Sequence, residues 1–193
     1  LVDALLGRLH CGARDADRLQ AVLHVVLALR QAPLRDERFE VARLVPADAA
    51  TIFAVLCDPQ GHVDIDSTGM LMDATGDPVG AVGDRFVVHM DRESLNDYPL
   101  GRYDVTVVIE TFEQDRDISW SILGAIEPPI GHTYGYRLEP AAEGGTVVTS
   151  YYDWSGISQE WRDAGIFPVI SEGALRATLG ILARTVAGPT PVL

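Results

Sequence analysis

Residues 62–69 read HVDIDSTG, so His62, Asp64, Asp66, Ser67 and Thr68 crowd into one short stretch. Two carboxylates one residue apart, followed by Ser-Thr-Gly, are the donor types of a cation loop or a phosphoryl-transfer site. A calcium loop starting at Asp64 would have Gly69 at its sixth position. Its twelfth position needs a bidentate carboxylate, and Thr75 stands there instead. The D-x-D-x-T pattern of Asp64 to Thr68 also matches a phosphotransferase motif, which sits after a buried apolar strand and works with a lysine. Here CDPQGH precedes it, and all 15 basic residues are arginine. The stretch therefore reads as a short helix over 62–66 and a turn at Ser67-Thr68-Gly69, with its acidity serving solvation and capping.

Other reactive constellations fare no better. His62, His89 and His132 lie on separate elements without HxH or HExxH spacing; they read as satisfied surface or rim histidines, and no metal is expected. There is no GxSxG elbow for a serine nucleophile and no GxGxxG after a strand, and no cofactor is expected. Without lysine there is no Schiff base. Cys11 and Cys57 are far apart and support neither a disulfide framework nor a zinc site. The formal net charge of −13 repels phosphate backbones, so nucleic acid is excluded as an expected partner. The longest apolar run, AVLHVVLAL at 21–29, is too short to cross a bilayer. RDADR ahead of it lacks the positive start of a secretory signal, so a cytoplasmic protein without stable membrane insertion is expected.

The elements that would position any site follow from periodicity. Residues 16–31 spell a helix whose Leu19, Val22, Leu23, Val26, Leu27 and Leu29 cover most of its circumference, and Pro33 stops it. Such a helix must be buried against the rest of the chain or a second subunit, which makes it a candidate homodimer contact. From Phe39 the pattern turns to strands. FEVARLVPA is the first, and a short helix follows with Asp48 as N-cap and Ile52, Phe53, Val55 and Leu56 as its apolar face. Extended segments then fall at about 68–74, 83–91, 102–114, 117–124, 132–141 and 145–156. Phe86/Val88/Met90, Val105/Val107/Ile109, Ile118/Trp120/Ile122 and Tyr134/Tyr136/Leu138 each share a strand face. Short turns between alternating strands predict an antiparallel meander. A final helix is predicted over 168–187, with Leu175, Leu179, Leu182 and Val186 in one stripe that should pack across the sheet.

This order resembles the START/Bet v1-like (SRPBCC) superfamily and, within it, the bacterial polyketide cyclase/dehydrase group. The resemblance rests on Pro46-Ala47, Ile52-Phe53-x-x-Leu56, the Asp58-Pro59 stop and Gly83-Asp84-Arg85-Phe86. Ile118-Ser119-Trp120, Tyr136-x-Leu138-x-Pro140 and Gly145-Thr146-x-Val148 complete it. It implies an α+β helix-grip fold: a curved antiparallel sheet of about seven strands wrapped around a long C-terminal helix, with two short helices after the first strand. Residues 37–188 would form the ligand-binding domain, 1–36 a helical extension and 189–193 a tail.

What the family implies for function is a hydrophobic small molecule (a lipid, polyketide or similar) held in an internal cavity. Phe86, Val88, Met90, Val107, Ile109, Trp120, Ile122, Tyr152, Leu175 and Leu179 would line it, with Tyr98 in the long loop at its rim. An alternative is a polyketide cyclase or dehydratase, in which Tyr134, Tyr136, His132 and Arg102 polarise a carbonyl or move a proton. A third reading is a protein-interaction or chaperone-associated module.

Overall fold

Strands form where apolar and polar residues alternate, and helices where Asp or Ser caps a short apolar stripe. The computed structural model describes residues 37–96, 100–124 and 126–187. The expected N-terminal helix and the dimer contact expected of it, Tyr98 and the tail lie outside them. The chain order is β1 (Arg38–Val45), α1 (Ala49–Cys57), α2 (Pro59–Asp64), β2 (Leu71–Thr75) and β3 (Arg85–Asp91). A 3-10 turn (Glu93–Leu95) leads to β4 (Arg102–Glu113), β5 (Asp117–Leu123), β6 (Thr133–Pro140) and β7 (Thr146–Asp153). The short α3 (Gln159–Ala164) and the long α4 (Glu172–Ala187) close the order.

The sheet is a curved antiparallel meander of seven strands in the order β1-β7-β6-β5-β4-β3-β2. Register sorts the residues into two faces. Phe86 pairs with Val107, which pairs with Ile122; Ile109 pairs with Trp120, Trp120 with Tyr134, and Tyr134 with Tyr152. These side chains make the inner face, against which α4 buries Leu175, Leu179 and Leu182 while packing on β1, β7 and α1. The α+β helix-grip architecture is as expected.

Local chemistry moves two boundaries. Asp58 is extended ahead of Pro59, ends α1, and accepts the Gln60 N–H at 3.0 Å. The second helix therefore starts at Pro59 rather than at His62. Asp66 then organises the turn, accepting the backbone N–H groups of Thr68 at 2.9 Å and Leu71 at 3.1 Å. Ser67 donates to the Ala174 carbonyl at 2.9 Å and accepts from the Thr178 hydroxyl at 3.0 Å, which ties the turn to α4. The acidic stretch is thus a joint between helices. The last helix begins at Glu172, not Pro168, because Ser171 Oγ accepts the Ala174 N–H at 3.1 Å. The preceding IFPVI segment is left as loop, and α3 was not expected.

Candidate functional site

On the inner face an aromatic stack runs across the sheet. Phe39 meets Trp154 edge-on at 4.8 Å, Trp154 lies 5.0 Å from Tyr152, and Tyr152 stacks on Tyr134 at 4.5 Å. Tyr134 in turn stacks on Trp120 at 6.2 Å, and Trp120 also contacts Tyr136 at 5.9 Å and the edge of His62 at 4.8 Å. Cross-strand register builds the centre of this stack, since Trp120, Tyr134 and Tyr152 are partners on neighbouring strands.

Two histidines lie inside this stack, which corrects the expectation of surface or rim positions. His62 is buried between Phe86 and Trp120, and its Nε2–H donates to the Leu56 carbonyl at 2.9 Å. Helix α2 turns it inward, and the apolar surroundings push its pKa down to about 4. His132 is buried against Tyr134, Tyr152 and Phe167, with Nδ1 3.1 Å from the Tyr152 hydroxyl. Burial lowers its pKa to about 4 as well, so both rings are neutral at pH 7.

The tyrosines are shifted the other way. Burial holds Tyr136 up at about 12 and pushes Tyr134 and Tyr152 above their ordinary value of 10.0. His132, Tyr152 and Tyr134 form one neutral polar cluster within an apolar wall. Tyr134 is only half-buried by accessible surface although its hydroxyl is strongly desolvated. Tyr134 thus combines partial exposure with a desolvated hydroxyl.

The expected ligand-lining residues divide into two sets. Phe86, Val88, Val107, Ile109, Trp120, Tyr152, Leu175 and Leu179 are packed core. Met90, Ile122 and Tyr134 are half-buried, and so are Tyr103, Ile130, Phe167, Val169 and Ile170, which sequence reasoning did not select. Tyr103 was available from the alternation with Val105 and Val107; Phe167 and Val169 lie in a loop with no periodicity to mark them. Arg92, also missed, is buried with Nη1 3.0 Å from Met70 Sδ, and with Tyr103 it lies within electrostatic reach of the Tyr134 hydroxyl.

Of the four proton-transfer candidates, the structure brings Tyr134, Tyr136 and His132 to the inner face and leaves Arg102 apart. The Arg102 side chain is 86% exposed on the outer face, with Nε 3.1 Å from Asp91 Oδ2. It borders a surface pocket of about 480 Å³, lined also by Met72, His89, Met90, Tyr103 and Asp104. Among the described residues no His/Cys/Asp/Glu cluster is arranged to hold a metal ion, and no helix is long and apolar enough to cross a membrane.

No family model and no curated protein matches this sequence. Solved structures do resemble it. A protein from Chromobacterium violaceum superposes with a TM-score of 0.58 at 12% identity, over 79% of this chain and 99% of its own. A truncated norcoclaurine synthase from Thalictrum flavum gives 0.54 at 16% identity, over 79% and 94%. An AHSA1-like protein from Aeromonas hydrophila gives 0.50 at 15%, over 78% and 92%. At these identities the likeness carries the fold alone, and that fold is the helix grip.

Proposed function

We propose that this chain binds an apolar small molecule, such as a lipid or polyketide, on the half-open part of its inner face. Met90, Tyr103, Ile122 and Tyr134 would form the floor, with Ile130, Phe167 and Val169 at the edge. The reading rests on Tyr134, which is half-buried with a desolvated hydroxyl and lies among other half-buried apolar side chains. An apolar ligand would cover the half-buried side chains, and the hydroxyl would supply the polar contact that orients it.

The electrostatics favour binding over proton transfer. An efficient general acid or base has a pKa near the working pH. Here the histidines lie far below neutrality and the tyrosines far above it. The cluster can exchange hydrogen bonds with a carbonyl or hydroxyl at pH 7 but is a poor proton donor or acceptor.

The test is a titration with the neutral probe N-phenyl-1-naphthylamine, together with mass spectrometry of small molecules released from the purified protein. Saturable binding is expected, weakened about tenfold by Tyr134→Phe through loss of one hydrogen bond and abolished by Met90→Glu. Absence of both saturable probe binding and co-purified apolar molecules would overturn the reading.

A further inference from the structure

We infer a second, nucleophilic site on the outer face of the sheet, formed by Thr75, His89 and Asp104. These residues lie on three successive strands, β2, β3 and β4, and the sheet register alone brings them together. His89 Nδ1 is 2.7 Å from Asp104 Oδ1, and His89 Nε2 is 2.9 Å from Thr75 Oγ1.

The chemistry fixes the direction of these bonds. A carboxylate only accepts, so Nδ1 carries the hydrogen and donates it to Asp104. In the neutral ring Nε2 is then the bare nitrogen, and the Thr75 hydroxyl donates to it. A hydroxyl hydrogen-bonded to an imidazole that a carboxylate holds in one tautomer is the arrangement that activates an oxygen nucleophile.

The setting supplies room for a substrate. His89 and Asp104 are also walls of the 480 Å³ pocket, whose Met72, Met90 and Tyr103 offer apolar surface and whose Arg102 offers a cation. Thr75 and Asp104 are exposed, and His89 is about two-fifths exposed at its side chain, so no movement is needed for access. The substrate class that fits is a short acyl ester, its apolar acyl group against the methionines and its developing negative charge toward Arg102.

The reaction balances without a further reagent. Thr75 Oγ1 bonds to the carbonyl carbon, its proton passes to His89 Nε2, and the carbonyl π electrons move to oxygen. Collapse of the adduct breaks the ester C–O bond and the alcohol leaves with the proton from His89. Water then attacks the acyl-threonine by the same route, releasing the carboxylic acid and restoring the Thr75 hydroxyl.

The test uses p-nitrophenyl acetate and p-nitrophenyl butyrate with the full chain, following nitrophenolate release and the mass of the intact protein. Expected is turnover above that of free imidazole and a transient gain of one acyl group located at residue 75. Thr75→Ala should abolish the adduct, and His89→Gln and Asp104→Asn should each lower turnover at least about 100-fold. Because these side chains are surface groups, all three variants should keep the wild-type melting curve, which separates loss of chemistry from loss of fold. Turnover and acylation unchanged by Thr75→Ala, or no turnover above imidazole, would overturn the assignment.

Discussion

The two buried histidines make stability fall with acid in a window of their own. In the unfolded chain both titrate near the ordinary value of 6.5, whereas in the native protein both sit at about 4. Between these values the unfolded state takes up protons that the native state refuses, so stability is complete above pH 6.5 and drains away as the pH falls toward 4. A gap of about 2.5 units is worth about 3 kcal/mol per histidine, and the pair together about 6 kcal/mol, comparable to the whole stability of an ordinary domain. The acids of lowered pKa (Glu37, Asp48, Asp91 and Asp153) act in the same direction, but only once the pH falls below their ordinary values of 4.5 and 3.8. Asp117, raised by burial, has the opposite sign. The window from 6.5 down to about 4.5 therefore belongs to the buried imidazoles. Guanidinium denaturation at half-unit steps from pH 7.5 to 4.5 would measure it in the wild type, His62→Gln, His132→Gln and the double variant. Glutamine keeps an N–H for the Leu56 carbonyl and a polar group for Tyr152 but does not titrate. Each single variant should lose about half of the slope and the double variant nearly all of it. A double variant with the wild-type slope would refute the reasoning.

Two smaller perturbations probe the frame that holds the site. A Cβ at Gly135 would come within 2.4 Å of the Tyr151 ring and 2.8 Å of the Ile118 carbonyl; Gly135→Ala should cost about 1–3 kcal/mol in denaturation, and an unchanged midpoint would mean that Tyr151 does not lie across β6. Ser67→Ala removes the bridge to Ala174 and Thr178 on α4. About 1 kcal/mol of stability should go with it, visible as a lower midpoint at unchanged denaturant slope.

The strands were legible because alternation with period two records directly which residues face inward. Phe86, Val107, Ile109 and Trp120 needed only that rule, as did the α4 stripe at Leu175 and Leu179. The helix boundaries needed cap chemistry as well. Asp58 serves as the end of one helix and the cap of the next, and Ser171 was overlooked beside the more conspicuous Pro168. His62 was misread because a histidine near acids resembles a surface residue until α2 is known to turn it onto Trp120 and Phe86. The half-buried rim depends on loops, and Phe167 and Val169 carry no periodic mark. The Thr75–His89–Asp104 grouping was the least accessible. Its members are separated by 14 and 15 positions, and only the β2–β3–β4 register closes those distances.

That register also divides the chemistry of the sheet between its faces. Inward, burial removes charge: the imidazoles of His62 and His132 are held neutral from below and the phenols of Tyr134, Tyr136 and Tyr152 from above. Such a surface can hold an apolar molecule and point one hydroxyl at it, but it stores no proton to give. Outward, His89 and Asp104 keep their access to water, and Arg102 reaches over the pocket beside them. Residues 89 and 90 on β3, and 103 and 104 on β4, alternate between the two faces by register, yet all four border the one surface pocket. Met90 and Tyr103 belong both to the half-buried inner face and to the lining of this pocket, so they are where occupancy of one site could be felt at the other. If binding and hydrolysis are independent, the neutral probe will leave p-nitrophenyl butyrate turnover unchanged. Competition between them would place both ligands against the shared Met90–Tyr103 pair.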